Sequence, residues 1–324
     1  MKTADVLQAF GITAPCTACT PVTEGHMHLT WYIETADGSY VLQELRHAEP
    51  AALMDNITML TAHVRDRRDV HIPHFYPAAD GLLHEGRYRL MNRIPGEPVT
   101  AAASPAQIEA AGFAFGRFDA ALHGLEGLRE VYPGLHNTIA YRDRLRSLRL
   151  PVQYTQLHRK AATLGEAACS LWEQQRSGLL PLRNVHGDTK GSNVLVHGTD
   201  AAVIDLDTAG KGLAAYDYGD GIRSLAQRAG VLDRERFRAF TRGFLRGMPL
   251  LSEEEIRSLV PGICCITTEL AMRYLIDIAE GCRYFGKAPE QAAARAGELL
   301  AFAFEILAQE QMLQGELQQL RSRE

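Results

Sequence analysis

The sequence predicts a two-lobed α+β fold, in which a small antiparallel β-sheet lobe with one helix precedes a larger, mainly helical lobe. Three observations predict this class. Residues 1–94 contain short segments of alternating polarity, a Pro/Gly-rich stretch follows at 94–98, and helical spacing predominates after it. A chain of 324 residues also exceeds the size of most single-core domains. We expect an N-terminal lobe at 1–94, a C-terminal lobe at 95–324, and a cleft between them.

The elements of the N-terminal lobe follow from strand alternation, one hairpin turn and one amphipathic segment. Asp37-Gly38 is a dipeptide typical of tight hairpin turns. Pro50 suits the first turn of a helix, and apolar side chains follow it at helical spacing. The predicted elements are strands at 28–34, 40–45, 74–77 and 87–94, and a helix over 50–65.

The elements of the C-terminal lobe follow mainly from helical periodicity. Ser104 and Gln107, three residues apart, form the pattern of a capping box at a helix start. The predicted helices cover 104–122, 141–148, 157–175, the region from Asp233 onward, and 289–323. Residues 184–223 interrupt this pattern with short strands and loops that are rich in aspartate and glycine.

Composition and charge exclude several classes of partner. The formal net charge is −5 and the chain has no long basic run, which argues against nucleic acid and anionic membranes. No apolar run reaches the ~18 residues that span a bilayer, and the N-terminus lacks the apolar core of a signal peptide. We therefore expect a cytoplasmic protein. Cys16 and Cys19 form a CxxC without a second pair, so the thiols are expected to be reduced and without a role in function.

Residues 184–223 carry the candidate catalytic residues. Asp188 and Asn193 lie five positions apart on one loop, and Asp205 ends a hairpin predicted at 194–204. Such a hairpin would bring the three side chains together. Phosphoryl transfer from ATP to a hydroxyl requires a carboxylate to accept the proton and oxygen ligands to hold Mg²⁺. The pattern predicts Asp188 as the base, and Asn193 and Asp205 as metal ligands.

Neighbouring residues in the same stretch receive supporting roles. Lys190 would meet the transferred phosphate as a positive charge. Asp207 would be a second metal ligand, or would accept hydrogen bonds behind the ligands. His186 is interpreted as structural, and Asp217 is expected to bond the backbone of the catalytic loop.

The motifs HGDTKGSN, VIDLDT and YDYGD resemble the aminoglycoside phosphotransferase and choline kinase family, which has a fold similar to protein kinases. The resemblance covers most of the chain. It is greatest to the N-acetylhexosamine 1-kinases, which transfer the γ-phosphate of ATP to the anomeric hydroxyl of GlcNAc or GalNAc. The resemblance implies ATP and Mg²⁺ as cofactors, a nucleotide-binding N-terminal lobe, and a C-terminal lobe that binds a sugar acceptor. A monomer is the expected state.

The resemblance also assigns residues to the acceptor. Arg273 and Tyr284 match positions that bind the sugar, and this is chemically sensible because a guanidinium bonds hydroxyl and carbonyl oxygens while an aromatic ring packs on a pyranose. His136 and Asn137 are expected to line the same pocket. The structural alternative, with Tyr284 in the core and Arg273 as an ion-pair partner, stays open.

Nucleotide contacts are expected from the N-terminal lobe. Gln43 stands where many kinases carry a β3 lysine for the α- and β-phosphates, and a neutral side chain lacks that charge. Either Arg46 or the metal would compensate, and the loop at 24–28 would cover the phosphates. The backbone groups expected to face adenine belong to Asn92, Arg93 and Ile94.

Two alternative functions stay open. In an aminoglycoside- or choline-type phosphotransferase, carboxylates would meet a cationic acceptor, and Glu269, Asp277 and Glu280 do put acid near Arg273. A nucleotide-binding pseudokinase that acts through a partner is suggested by the neutral Gln43.

Overall fold

The computed structural model describes residues 3–23, 28–228 and 230–322. An antiparallel five-stranded sheet in the N-terminal part precedes a mainly helical region, which confirms the predicted α+β class. The N-terminal elements are α1 (Thr3–Ala9), β1 (Cys16–Val22), β2 (Leu29–Thr35), β3 (Ser39–Glu44), α2 (Pro50–Val64), β4 (Phe75–Tyr76) and β5 (Tyr88–Asn92). The phosphate-covering loop expected at 24–28 lies outside the described residues except for His28.

The N-terminal sheet has the strand order β1-β2-β3-β5-β4 and separates two sets of side chains. Leu42 and Leu90 are directly opposite each other and pack with α1 on one face. Gln43 and Arg89, also directly opposite, project from the other face because side chains alternate along a strand. That second face carries α2 and looks toward the helical region, so the polar pair lies between the two parts of the molecule.

The C-terminal elements are β6 (Glu97–Pro98), α3 (Pro105–Ala121), α4 (Thr138–Ser147), α5 (Thr155–Ala168), α6 (Ser170–Arg176), β7 (Arg183–Val185), β8 (Val194–His197), β9 (Asp200–Val203), β10 (Gly210–Gly212), α7 (Ala214–Leu225), β11 (Gln227–Arg228), β12 (Val231–Leu232), α8 (Arg234–Gly247), α9 (Glu253–Ala279) and α10 (Pro289–Arg321). The helix predicted over 157–175 is interrupted at Cys169, where α5 ends and α6 begins. Helix α9 is long and apolar enough to span a membrane by composition, but 83% of its apolar window is buried inside the protein.

The connection between the two parts is short. β5 ends at Asn92, and β6 pairs antiparallel with β8 of the C-terminal hairpin. The chain therefore leaves the N-terminal sheet and enters the C-terminal part within four residues, and the boundary predicted after Ile94 falls in this connection.

Helix α7 was not expected from the sequence, which predicts short strands and loops over residues 184–223. In the structure Gly219 and Gly221 serve close packing within this helix. A Cβ atom at Gly219 would lie 2.5 Å from the carbonyl oxygen of Gly262 on α9, and one at Gly221 would lie 2.1 Å from the Phe240 ring on α8. The glycines thus let α7 approach both neighbouring helices closely, which offsets their low helix propensity.

Candidate active site

The catalytic loop follows β7, and hydrogen bonds from its backbone N–H groups fix its conformation. Asp217 on α7 accepts hydrogen bonds from the N–H of His186 at 2.7 Å and of Gly187 at 3.0 Å, which confirms its predicted structural role. Gly187 has φ +80°, and a Cβ there would lie 2.7 Å from the carbonyl oxygen of Thr208. Only glycine fits this turn without strain. The loop after Val185 therefore enters the cleft in one defined conformation.

The buried His186 ring connects the loop to the hairpin that follows it. Its Nε2 atom lies 3.0 Å from the carbonyl oxygen of Ile204, and its Nδ1 atom accepts the N–H of Asp188 at 3.2 Å. Because one nitrogen donates and the other accepts, the ring is neutral, and burial accordingly lowers the pKa of His186. The ring is structural, as the sequence predicts.

Asp188 presents one free carboxylate oxygen. Oδ2 accepts hydrogen bonds from Lys190 Nζ at 2.6 Å and from Asn193 Nδ2 at 2.9 Å, whereas Oδ1 has no partner among residues 3–23, 28–228 and 230–322. Burial opposes ionisation, but Lys190 and Asn193 outweigh it and lower the pKa of Asp188. The group is thus an ionised carboxylate with one oxygen available to accept a proton.

Asp205 is the carboxylate best placed for a metal ion. It adopts the left-handed conformation with φ +60°, and its solvent-exposed side chain forms no hydrogen bond or ion pair in the described part of the chain. Partial loss of hydration at the wall of the cleft and the negative charge of Asp207 raise the pKa of Asp205 to about 6. A cation would relieve both effects. The backbone N–H of Ile204 bonds the carbonyl of Asn193 at 2.9 Å, which brings the two predicted ligands together.

The described residues contain no group of three or more His, Cys, Asp and Glu side chains that could hold a metal ion by itself. One carboxylate and one amide oxygen instead fit a magnesium ion that completes its coordination with water and substrate phosphates. Asn193 Nδ2 is used on Asp188, whereas its Oδ1 atom accepts a long hydrogen bond from Ser192 Oγ at 3.4 Å and keeps a second lone pair for a cation.

Asp207 is not available as the metal ligand that the sequence suggested. Both of its oxygens bind the Arg89 guanidinium, at 2.5 Å to Nη1 and 2.9 Å to Nη2, and His28 Nε2 lies 2.7 Å from Oδ2. All three side chains are almost completely buried. Although burial alone would raise it, Arg89 and His28 hold the pKa of Asp207 well below its usual range. The residue is an interlobe ion-pair partner, which corresponds to the second role considered for it.

Some of the residues predicted to bind the nucleotide form hydrogen bonds within the protein. Gln43 donates to Thr30 Oγ1 at 3.0 Å and accepts from Arg89 Nε at 2.8 Å. The Gln43 amide is therefore held between Thr30 and Arg89, with one Nε2 hydrogen left over in the described part of the chain, and its direct contact with the nucleotide stays a prediction. Arg46, proposed as a substitute cation, lines the cavity that also contains Arg273.

Of the residues 92–94, whose backbone groups are expected to face adenine, hydrogen bonds within the protein leave one N–H group free among the described residues. The N–H of Asn92 bonds His74 and that of Arg93 bonds Ser39, each at 3.0 Å. The Arg93 side chain lies over the Tyr32 ring, 4.2 Å from its centre. Within the described ranges the N–H of Ile94 has no partner. Of the three residues predicted to face adenine, Ile94 is therefore the one with a free backbone donor.

A cavity of about 680 Å³ contains the predicted acceptor residues Arg273 and Tyr284. The Arg273 guanidinium lies 5.6 Å, 5.3 Å and 5.8 Å from the ring centres of Tyr141, Tyr284 and Phe285, and it donates to Tyr284 Oη at 2.8 Å. Tyr284 is 62% exposed, so the alternative that places it in the core is wrong. These aromatic contacts hold a guanidinium at the wall of the cavity.

Tyr132 connects this cavity to the catalytic carboxylates. It lines the cavity, and Asp205 and Asp207 both act electrostatically on its hydroxyl; together with burial they raise its pKa. The segment that carries it is fixed to the N-terminal lobe, because the Asn56 amide pairs with the backbone of Arg129 at 2.8 Å and 2.9 Å. The part of the cavity wall that Tyr132 forms therefore lies within electrostatic range of Asp205 and Asp207.

His136 and Asn137 hold the site together instead of lining the Arg273 cavity. Both lie against a second, neighbouring cavity of about 390 Å³. His136 bonds the buried Glu269 through Nδ1 at 3.0 Å and the carbonyl oxygen of Gly187 through Nε2 at 2.6 Å. Asn137 accepts the N–H of Ala140 and caps α4. The contact of these side chains with the acceptor stays a prediction: both His136 nitrogens are used within the protein, whereas Asn137 Nδ2 has no partner among the described residues.

Comparison with known proteins agrees with this geometry. Residues 18–253, most of the chain, match the model of the phosphotransferase enzyme family. The chain belongs to this family. The phosphotransferase also shares its fold with an aminoglycoside phosphotransferase from Alicyclobacillus acidocaldarius, at 15% identity and a TM-score of 0.69, over 98% of this chain and 97% of the other.

Two further solved structures show the same fold with different acceptors in their names. Amicoumacin kinase in complex with AMP-PNP, Ca²⁺ and amicoumacin is 14% identical, with a TM-score of 0.64 over 94% of each chain. A choline/ethanolamine kinase family protein from Mesorhizobium loti is 18% identical, with a TM-score of 0.60 over 98% of this chain and 97% of the other. Identities this low establish the fold of the phosphotransferase but leave its acceptor to be argued from the site.

Sequence reasoning missed Arg89, His28 and the segment that carries Tyr132. Arg89 had a signal, because it lies in a predicted strand near the one that holds Gln43. Only the strand register, however, places the two side chains opposite each other. The pairing of Arg129 with Asn56 joins residues 73 positions apart, and no local sequence pattern indicates this contact.

The stability of the phosphotransferase should fall at alkaline pH because of His136. Both partners of the ring are acceptors, so both nitrogens donate and the ring is an imidazolium. Burial alone would lower its pKa, but Glu269 and the Gly187 carbonyl raise it to about 9. The charged ring therefore stabilises the fold fully below the unfolded value of about 6.5, and this contribution, about 3 kcal/mol at most, is lost as the pH rises to 9. Urea unfolding midpoints at pH 6 and pH 9.5 measure the change.

The variant His136→Asn isolates this contribution. Asparagine tolerates the left-handed conformation of residue 136, φ +58°, but does not titrate. It should be less stable than the wild type at pH 6 and lose less stability by pH 9.5. His197→Asn, at the exposed end of β8, is the matched control and should keep the wild-type difference. An equal pH difference in His136→Asn and wild type would contradict the assignment of a charged ring.

Proposed function

We propose that the phosphotransferase uses ATP and a divalent cation to phosphorylate an N-acetylhexosamine at its anomeric hydroxyl. The observation that carries the proposal is the guanidinium of Arg273, held among three aromatic rings at the wall of a cavity that Tyr132 also lines. The Arg273 fork can donate to hydroxyl and acetamide oxygens. The exposed Tyr284 ring offers an apolar face of the kind that packs on a pyranose.

A cationic acceptor is less compatible with this cavity. A ring cluster that would attract an ammonium group already surrounds the protein's own cation, Arg273. The carboxylates that had suggested an aminoglycoside or choline are also engaged. Glu269 bonds His136 and Thr138, Asp277 accepts two backbone N–H groups, and Glu280 pairs with Arg144. A second positive charge would meet repulsion from Arg273 without a free carboxylate from these three residues.

The reaction follows from the arrangement of the catalytic loop. The acceptor hydroxyl approaches Asp188 Oδ1, which takes its proton as the hydroxyl oxygen forms a bond to the γ-phosphorus of ATP. The bond from that phosphorus to the bridging oxygen breaks, and ADP leaves with the electron pair. Lys190 lies on the same loop with its ammonium 2.6 Å from Asp188 Oδ2, where it offsets negative charge.

The residues for the divalent cation are Asn193 and Asp205. Bound there, the cation would neutralise charge on the transferred phosphates. Asp188 and Asn193 are fixed relative to each other by two hydrogen bonds of 2.9 Å. These two hydrogen bonds keep the base Asp188 and the metal ligand Asn193 in a fixed relative position, whichever acceptor binds. The nucleotide analogue and Ca²⁺ named for amicoumacin kinase, which has the same fold, support this part of the proposal.

The proposal is tested with an ATP-dependent activity screen. Purified protein with Mg²⁺ is assayed for ADP release with N-acetylhexosamines, other hexoses, aminoglycosides and choline, and phosphorus NMR locates the new phosphate. We expect turnover with GlcNAc or GalNAc and a phosphate on the anomeric oxygen. A phosphate on another hydroxyl would contradict the anomeric assignment, and turnover with the cationic acceptors alone would contradict the sugar.

Substitution of Arg273 tests the acceptor pocket directly. Arg273→Met should raise the KM for the sugar about 10–100-fold, because hydrogen bonds from a charged donor contribute about 1.5–3 kcal/mol. The KM for ATP should stay within about twofold, since Arg273 lies on the acceptor side. Steady-state kinetics with each substrate varied in turn measure both values.

Arg283→Met is the matched control for this variant. Arg283 is exposed and adjacent to Tyr284 in sequence, so the same chemical change occurs next to the pocket but outside its lining. The control should keep the wild-type KM for the sugar. A lower thermal stability of Arg273→Met with an unchanged KM would instead support the purely structural alternative for Arg273.

A further inference from the structure

The phosphotransferase lacks a lysine at the strand position that supplies the phosphate-binding cation of protein kinases. That cation normally comes from β3 and contacts the ATP phosphates. Here β3 carries Gln43, whose amide is bonded to Thr30 and Arg89. Arg89 lies directly opposite Gln43 on β5, and its guanidinium is 2.8 Å from the end of the Gln43 side chain. A positive charge is therefore present at this place in the sheet, supplied by the neighbouring strand.

The orientation of Arg89 carries this charge to the catalytic carboxylates. Its two terminal nitrogens bind Asp207, which is two residues after Asp205 on the opposite lobe. The Arg89 charge acts on Asp205 as well as on Asp207. A cation on Asp205, with the phosphates it binds, would be held close in sequence and charge to the Asp207 carboxylate that this guanidinium binds.

Arg89 also keeps donor capacity. A guanidinium has five N–H groups. Gln43 takes the one on Nε and Asp207 takes one on each terminal nitrogen, while the second hydrogen of Nη1 has only a weak contact to Met54 Sδ at 3.9 Å. The second hydrogen of Nη2 has no partner in the described ranges of the chain. A buried donor without a partner is unfavourable, and a phosphate oxygen would satisfy it.

The other cations near this surface are less suited to the role. Lys190 is paired with Asp188 on the catalytic loop. Arg87 donates to the carbonyl oxygens of Leu45 and His47. Arg46 lines the acceptor cavity. Arg89, by contrast, is almost fully buried, at 2% exposure, and is directed across the cleft to Asp207.

We propose that Arg89 on β5 binds the α- and β-phosphates of ATP and so replaces the lysine that β3 lacks. Gln43 holds the guanidinium plane through Nε, and Asp207 balances its charge before the nucleotide arrives. This inference rests on the proposed use of ATP but is independent of which acceptor is phosphorylated. It also explains how a chain with a neutral β3 residue keeps an intact catalytic loop.

The test compares nucleotides that differ only in their phosphates. Calorimetry with adenosine and with ADP plus Mg²⁺ gives the affinity gained from the phosphates. Arg89→Met should lower the affinity for ADP about 10–100-fold and leave that for adenosine within about twofold, since a charged hydrogen bond is lost only with ADP. Arg236→Met is the control for loss of a buried arginine. Arg236 is 3% exposed and bonds backbone carbonyls in the helical lobe, so its loss should leave the ADP-to-adenosine ratio unchanged.

A double variant guards against misfolding. Arg89→Met leaves Asp207 buried without its partner, which is destabilising. Arg89→Met with Asp207→Asn removes both charges and should show the same loss of ADP affinity. Adding Gln43→Lys to that double variant places a cation on β3 and should recover at least part of the loss.

The outcomes separate the inference from the proposed function. Equal losses for adenosine and ADP, or full ADP affinity in the double variant, would overturn the role of Arg89. A wild-type protein that binds ADP no more tightly than adenosine would overturn it too, and would contradict ATP as the substrate. Failure of the sugar screen alone, with a phosphate-dependent affinity that requires Arg89, would contradict the acceptor and support the inference.

Discussion

Replacement of Asp188 with asparagine should lower kcat by about 10²–10⁴-fold, the range expected when a positioned general base is lost. Asparagine has the same shape, and its side chain can still meet Lys190 and Asn193. The substitution removes the negative charge and the proton acceptor at Oδ1, which is the atom that has no partner in the described structure. The KM for ATP should change little, because Asp188 acts on the acceptor hydroxyl. Initial rates at saturating ATP and sugar measure the effect.

The matched control for this prediction is Asp200→Asn. Asp200 begins β9 at the exposed turn of the hairpin whose other end carries Asp205, so the charge change is the same but lies away from the cleft. Its kcat should equal that of the wild type. Unchanged turnover in Asp188→Asn, with a normal fold by circular dichroism, would exclude Asp188 as the base and leave the pseudokinase alternative to be tested.

The sequence was most informative where the site is local. Asp188 and Asn193 are five residues apart, and their side chains meet at 2.9 Å because one short turn joins them. The position of Asp205 follows from the same motif, because the short hairpin of β8 and β9 returns the chain to Asn193, where the hairpin begins. Local geometry of this kind depends on spacing and turn residues, which a single sequence contains.

The sequence was least informative where side chains meet across the fold. Asp207 was expected near the metal, but its partners Arg89 and His28 are 118 and 179 residues away along the chain. The spacing that places Asp207 near Asp205 gives no information about a cation from another lobe. The same applies to His136, which was assigned to the acceptor but bonds Glu269, 133 residues away. In both cases a charged side chain had a structural partner that no motif indicates.

These distant partners share one physical feature. Each is a buried charge that needs a counter-charge, and the structure supplies it from a different element. Arg89 and Asp207 join the N-terminal sheet to the catalytic hairpin, while His136 and Glu269 join the catalytic loop to α9. The catalytic loop and the hairpin are therefore each fixed by one buried ion pair from outside, and the conformation of the site depends on both.

Substitution of Asp205 with asparagine should lower activity by on the order of 10³-fold at low Mg²⁺, because a metal ion at the phosphates contributes several kcal/mol to catalysis. Asparagine is the appropriate replacement, since residue 205 has φ +60° and asparagine adopts this conformation more readily than alanine. The backbone should therefore keep its position while one charged ligand is lost. Rates measured over a Mg²⁺ titration should show a higher metal requirement, and saturating Mg²⁺ should recover part of the activity.

Asp207→Asn distinguishes a metal ligand from an ion-pair partner two residues away. If Asp207 serves Arg89, as the two hydrogen bonds of 2.5 Å and 2.9 Å indicate, its loss should leave the half-saturating Mg²⁺ concentration within about twofold. It should instead lower the free energy of unfolding by about 3–5 kcal/mol, because Arg89 is left buried without its counter-charge. The opposite result, a shifted Mg²⁺ requirement in Asp207→Asn and a normal one in Asp205→Asn, would restore Asp207 as the ligand. The two variants carry the same chemical change on neighbouring residues, so a difference between their Mg²⁺ curves reports on the partner of each carboxylate and not on the charge of the loop.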